Sequence, residues 1–296
     1  MTLPESTAGN ITATPDPSGR SALFELLDIQ EADRPGCAAL LDAPAGPDVQ
    51  LALAGLDRRL GRFPSSSARQ DGISAESWLE AILRFAPRVP EWHAGLGIPH
   101  MVSAAILADV GRQLAINRRV HGMFGADTWS WLTLHMAGNI LQLGRLQFHL
   151  IRKLDATARS GAGEWVLGVH IPELQGAGAG LSPSLVEESL GLARTFFAAY
   201  FPDKPVTGAV CSSWMLDPYL AAALPDSNIA AFARRFELDM CTDAPEDAVY
   251  FTFRHRGLDD LSALPRKTSL QRAVLERIDN GGTWQLGHGH LILNAE

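Results

Sequence analysis

An imidazole and a carboxylate, His170 and Glu173, stand at the end of a short apolar run, Trp165-Val-Leu-Gly-Val-His-Ile-Pro172. An imidazole with an ordinary pKa near ~6.5 exchanges protons at neutral pH, and a carboxylate accepts them, so either is a candidate general base. Directly after them comes Gln175-Gly-Ala-Gly-Ala-Gly180, followed by Ser182-Pro183, a capping residue and a proline suited to the first helical position. Glycines feeding a helix N-terminus offer bare backbone N–H groups and the positive end of a dipole to a phosphate. Proton transfer beside an anion-binding loop is the chemistry this stretch implies.

A second group, Cys211, Ser213 and Asp217, lies on or just after the next strand-like run. The strand period of two puts Cys211 and Ser213 on one face. Cys211 is either a core thiol or a nucleophile, and the second role needs a depressed pKa. Trp214 is either a core aromatic or a platform for a substrate. His288-Gly-His290 sets two imidazoles on one strand face, but a metal site needs a third ligand and none stands nearby, so no metal is expected.

The elements that must hold these groups follow from periodicity and punctuation. Residues 1–20 are rich in Ser, Thr, Pro and Gly and read as a disordered tail. Residues 21–122 read as a helical domain, with Trp78-Leu-Glu-Ala-Ile-Leu-Arg-Phe85 as its most compact apolar face. The texture then changes, and residues 123–296 read as an α+β (mixed α/β) domain with one main sheet. Trp129–Met136 and Ile140–Arg152 read as strands, the second with a bulge at Gly144-Arg145 where the apolar parity changes. Arg145 and His149 share parity beyond it. A strand ending at Pro172, a helix over Pro183–Tyr200 and a strand over Val206–Leu216 come next. Ser227 caps a short helix, and Glu237–Thr242 with Ala248–His255 reads as a hairpin. Thr268…Gln271 is a capping-box pattern opening a helix, before a last strand over Thr283–Leu293.

Composition narrows the partners. The chain has 296 residues, 46% hydrophobic and 20% charged, enough for one or two domains with a real core. A net charge of −8 argues against nucleic acid as the main partner. Three scattered cysteines form no disulfide framework or metal finger, which suits a reducing cytoplasm. No signal-peptide pattern and no run of ~18 apolar residues is visible, so no membrane partner is expected.

Beyond these readings, Gln175-x-x-Gly178-x-Gly180 is similar to the pyrophosphate loop of the GNAT superfamily of N-acetyltransferases. Five blocks are more specific: Gly144-Arg-Leu-Gln-Phe148, His170-Ile-Pro-Glu173, Cys211-Ser-Ser-Trp-Met-Leu-Asp-Pro218, Ser227-Asn-Ile229 and Thr268-Ser-Leu-Gln-Arg-Ala273. They resemble, in order, those of a bacterial acyltransferase family joining a helical N-terminal domain to a GNAT-like C-terminal domain, over roughly Trp78 to Leu293. The family often has a histidine where Ser212 stands, a departure that leaves that position's role to other groups.

The resemblance implies a GNAT-like mixed sheet with flanking helices and an acyl-CoA-dependent N-acyltransferase. It implies coenzyme A contacts from Ile171, Gln175, Gly176, Gly178 and Gly180, and a base in His170 or Glu173. Cys211, Ser213 and Asp217 are the further catalytic candidates, Ser213 and Asp217 as a polar wall with Ser213 as a donor to the leaving thiolate, and Arg145, His149 and Trp214 would line the acceptor pocket. The expected partners are an acyl thioester and a small-molecule amine, with the protein a monomer or homodimer. A module that binds without transfer, or a thioester hydrolase or decarboxylase using Cys211, are the alternatives.

Overall fold

The computed structural model describes Thr12 and residues 17–63, 67–68, 72–153, 163–174 and 180–293. The chain divides into two compact units, Met1–Gln142 and Leu143–Glu296. The tail expected over 1–20 lies outside the described residues, except for Thr12 and the start of the first helix.

The first unit is helical: α1 (Pro17–Leu26), α2 (Arg34–Leu41), α3 (Pro47–Asp57), α4 (Ala75–Phe85), α5 (Arg88–Gly95), α6 (His100–Leu107), α7 (Asp109–His121) and α8 (Trp129–Met136). Helix α4 organises it. The Ser77 N–H donates to Ser74 Oγ at 3.0 Å, capping the first turn. Trp78, Leu79, Ile82, Leu83 and Phe85 are then buried as α4 packs on α2, α3 and α8. Trp78 stacks on Trp129 with ring centroids 5.0 Å apart. Burying each such side chain contributes roughly 1.5–3 kcal/mol. Asp109 at the start of α7 accepts from His135 Nε2 at 2.9 Å and is also held by Arg112 and Trp131. Burial alone would push the Asp109 carboxyl up, but the His135 hydrogen bond and charge, with Arg112 and Trp131, bring it down to about 2.

Trp129–Met136 corrects the sequence expectation, because it is helix and not strand. Its large and polar residues alternate in the chain, yet Leu132, Thr133, Leu134, His135 and Met136 are all buried. Where every side is enclosed, alternation does not report a solvent face. The division between the units accordingly falls at 142/143, later than the 122/123 expected from the change in texture.

The second unit is built on a six-stranded sheet ordered β1-β2-β3-β4-β6-β5. Its elements are β1 (Ile140–Leu143, which straddles the division), β2 (Leu146–Lys153), β3 (Glu164–His170), α9 (Pro183–Tyr200), β4 (Val206–Ser213), α10 (Pro218–Ala223), α11 (Asn228–Ala233), β5 (Glu237–Asp243), α12 (Asp247–Phe253), α13 (Ser269–Asp279) and β6 (Gln285–Ile292). The expected bulge at Gly144-Arg145 is a two-residue turn between separate strands. Gly144 takes φ +66, and a Cβ there would meet Ser189 Oγ of α9 at 2.7 Å. That turn, not an inserted residue, flips the apolar parity.

The expected pairing of Glu237–Thr242 with Ala248–His255 also fails: Asp247–Phe253 is a helix, ended by Arg254 at φ +56, and β5 pairs with β6. One sheet face carries Leu146, Phe148, Leu150, Leu167, Val169, Ala209 and Cys211 into the core, and α9 packs on β2 and β4. A smaller core gathers Trp214, Leu220, Val249, Val274 and Trp284 where α10, α12 and α13 meet.

Candidate active site

Strands β3 and β4 are parallel neighbours whose paired residues end at Gly168↔Val210. Both strands continue, β3 to His170 and β4 to Ser213. Each is still held by its other neighbour, at Gln147↔His170 and at Ser213↔Gly287. The sheet therefore opens along one seam, at the carboxyl ends of its two parallel strands. Ligands of open α/β sheets bind at such crevices, because loops and helix N-termini converge there.

The register fixes which groups surround the opening. On the face opposite the core stand Gln147 and His149 of β2, Gly168 and His170 of β3, Val210 and Ser212 of β4, and His288 and His290 of β6. The His149 and His170 rings lie 5.9 Å apart, over Gly168, where a Cβ would come within 3.5 Å of His170 Nε2. Ser212 Oγ lies 2.8 Å from His288 Nδ1, and Thr242 Oγ1 of β5 lies 2.9 Å from His288 Nε2. His290 is held separately, its Nδ1 being 2.9 Å from Asp239 Oδ1. On the core side of the same strand, Gly287 and Gly289 leave no room. A Cβ at Gly287 would sit 2.7 Å from Leu216, and one at Gly289 would sit 2.9 Å from the Glu237 carbonyl oxygen.

Two arginines hold the stretch that leaves β3. Buried Arg145, in the β1–β2 turn, donates from Nε to the Gly180 carbonyl at 3.1 Å and from a terminal nitrogen to the Pro172 carbonyl at 3.0 Å. Its own N–H donates to Ser189 Oγ at 2.8 Å. Arg254, beyond α12, pairs with Glu173, its Nε lying 2.9 Å from Oε2. From Gly180 the chain enters α9, where the Leu185 N–H donates to Ser182 Oγ at 3.4 Å and Pro183 opens the helix.

Models of two domain families match the chain, the N-acyltransferase N-terminal domain over residues 20–138 and the GNAT-like C-terminal domain over residues 140–291. The chain belongs to this acyltransferase family. It is similar to an acyltransferase solved in complex with decanoyl-CoA and teicoplanin, at 31% identity and a TM-score of 0.79, covering 96% of this chain and 90% of that one. An acyltransferase variant in complex with octanoyl-CoA is 30% identical, with a TM-score of 0.82 and the same coverage. No curated protein gave a significant match.

Within the acyltransferase, the expected site residues fall into three groups. His149 and His170 share the face beside the seam, with Ile171 half-buried just past the strand end. Arg145 and Glu173 hold the stretch that follows: Arg145 ties its ends and Glu173 is engaged by Arg254, so neither is presented as a pocket-lining group or a free base. Gln175, Gly176 and Gly178 lie outside the described residues, whereas Gly180 is exposed, with nothing within 4 Å of where its Cβ would stand.

The remaining expected residues turn to the core. Cys211 is buried on the apolar face, and desolvation pushes its thiol up to about 12, which removes it as a nucleophile at neutral pH. Ser213 Oγ accepts the Met215 N–H at 3.1 Å, capping the short turn over Trp214–Leu216. Asp217 is buried and accepts from Tyr219 N–H at 2.9 Å, Arg277 at 2.7 Å and Gln285 N–H at 3.0 Å. Trp214 packs edge-to-face on Trp284. Ser212, His288 and Thr242 were missed as a group. The alternation on each strand was readable, but which parity faces the core depends on strand order, and that order was not. No group of three or more potential metal ligands occurs among the described residues, and no helix among them is long and apolar enough to cross a membrane.

Proposed function

We propose that this acyl-CoA-dependent acyltransferase moves the acyl group of its thioester donor to the amine of a small-molecule acceptor, with His170 as general base. The observation that carries the reading is the seam between β3 and β4, which has His170 at its lip. Past Gly168 and Val210 the two strands are no longer paired with one another, and the opening between them suits an extended pantetheine chain. The N-terminus of the long helix α9 and the open space at Gly180 suit a pyrophosphate. Similar proteins bound to decanoyl-CoA, octanoyl-CoA and teicoplanin support a fatty acyl-CoA donor and an acceptor as large as a glycopeptide.

The chemistry follows from the residues. An amine attacks the thioester carbonyl and passes its proton to the His170 imidazole, which is half-buried beside the buried His149 ring. The new C–N bond leaves an oxyanion, which backbone N–H donors at the strand end stabilise. Collapse breaks the C–S bond and releases the thiol.

The test is free-thiol release from decanoyl-CoA with a panel of amine acceptors, alongside calorimetry with CoA. Turnover that needs the amine, with an N-acyl product by mass spectrometry, supports the reading. Absence of CoA binding sinks it, and binding without thiol release would leave a module that holds the thioester. His170→Gln is expected to lose about 10²–10⁴-fold in turnover with CoA binding retained.

A further inference from the structure

We infer that Ser212, backed by His288 and Thr242, delivers the proton that the departing thiolate takes up. The inference rests on the acyl-CoA reading above. It begins with the two lips of the seam. His170 lies two residues past Gly168 on β3, and Ser212 lies two residues past Val210 on β4. Because Gly168 and Val210 are partners, His170 and Ser212 occupy equivalent positions on one sheet face, on opposite sides of the opening. A thioester lodged in the seam therefore has the imidazole on one side and the Ser212 hydroxyl on the other.

Ser212 is exposed and does not stand alone. Its register partner on β6 is His288, whose two ring nitrogens both meet hydroxyls, Ser212 at 2.8 Å and Thr242 at 2.9 Å. A hydroxyl donates and accepts at once, so a neutral imidazole fits between the two with Nδ1–H donating to Ser212 Oγ and the Thr242 hydroxyl donating to Nε2. That arrangement leaves the Ser212 proton directed away from the ring. His290, the neighbouring imidazole on the same face, is engaged by Asp239 and forms a separate contact.

The step balances. As the C–S bond breaks, its electron pair goes to sulfur, which takes the Ser212 hydroxyl proton. His288 Nδ1–H passes its proton to Ser212 Oγ, the Thr242 hydroxyl proton moves to His288 Nε2, and solvent at this exposed face returns a proton to Thr242. No net charge appears on the three side chains. Ser212 is the catalytic residue in this step, and His288 and Thr242 are positioning residues acting through it.

The experiment compares two donors carrying the same acyl chain: decanoyl-CoA, whose alkyl thiolate needs a proton, and a decanoyl 4-nitrophenyl thioester, whose thiolate leaves without one. Ser212→Ala is expected to lose about 10²-fold or more with decanoyl-CoA and only a few-fold with the aryl thioester, CoA binding being unchanged. His288→Gln should give the same donor-dependent pattern with a smaller loss. Equal losses with both donors, or no loss with decanoyl-CoA, would overturn the inference. Should the wild-type enzyme not use the aryl thioester, Ser212→Thr decides. It keeps the hydroxyl and should recover most of the activity that Ser212→Ala loses, and failure to recover it counts against the proposal. Wild-type turnover of decanoyl-CoA with an unaffected Ser212→Ala defeats this inference alone, whereas no acyl-CoA turnover or binding by any form defeats the functional reading beneath it.

Discussion

Replacing Arg145 tests whether the stretch between β3 and α9 is held for the ligand or only for the fold. The guanidinium is buried and donates to the carbonyls of Pro172 and Gly180, the two ends of that stretch. Hydrogen bonds involving a charged group contribute about 1.5–3 kcal/mol each, so two of them amount to roughly 3–6 kcal/mol. Arg145→Met keeps an apolar stem and removes both. If even the lower sum is charged to donor binding, at about 1.4 kcal/mol per tenfold the Kd for acyl-CoA rises about 100-fold. Arg145→Lys retains the charge but lacks the planar fork, so it serves one carbonyl at a time and should weaken binding about tenfold. Calorimetric titration of decanoyl-CoA, paired with urea unfolding of each variant, separates the contributions. If Arg145→Met lost about 3 kcal/mol of folding stability while binding acyl-CoA as tightly as wild type, the clamp would be a fold determinant and the reasoning would be wrong.

Other outcomes follow from the same structure. Asp217→Ala strands half-buried Arg277 and the Gln285 N–H, and should cost about 3 kcal/mol in urea unfolding, with turnover per folded molecule preserved. Cys211→Ala should retain turnover, and the native Cys211 thiol should resist alkylation at pH 8, where a pKa of about 12 leaves about one thiolate in ten thousand; a covalent acyl adduct on Cys211 would refute this. Asp109 has a folded pKa depressed to about 2, so its contribution is fully present above its unfolded value and is lost as pH falls toward 2. The shift corresponds to about 2 kcal/mol, so Asp109→Asn should flatten the decline in stability between about pH 4 and pH 2 in unfolding series.

The parts legible in the sequence were those with local signals. The Ser182-Pro183 start of α9 and the Thr268/Gln271 capping box of α13 both form as expected, because caps are set by neighbours three residues away. Strand β3 was legible from its short apolar run. Helices α8 and α12 were not: α8 alternates large and polar residues inside a fully enclosed segment, and α12 mimics a strand pattern while burying only Ala248 and Val249. The site shows the same limit. Cys211 and Ser213 were rightly put on one face, but the pairing of β4 with β3 and β6 turns that face to the core and presents Ser212 instead. A shift of one residue exchanges every candidate on a strand. The Arg254–Glu173 and Ser212–His288 pairs join residues 81 and 76 positions apart, with no local pattern to announce them.

Strand β6 divides its labour unusually sharply between its two faces. Where it backs onto Leu216 and Phe236 it carries only hydrogen, at Gly287 and Gly289, so the neighbouring chain can press against its backbone. Everything that distinguishes its side chains at 286, 288 and 290 projects the other way. Substitution is therefore closed on one side and open on the other: the chemistry beside Ser212 can be diversified at these alternate positions while the packing beneath is left untouched. A library restricted to Leu286 and His290 would vary the surroundings of His288 at little expense in folding, whereas any side chain introduced at Gly287 or Gly289 would move the strand itself.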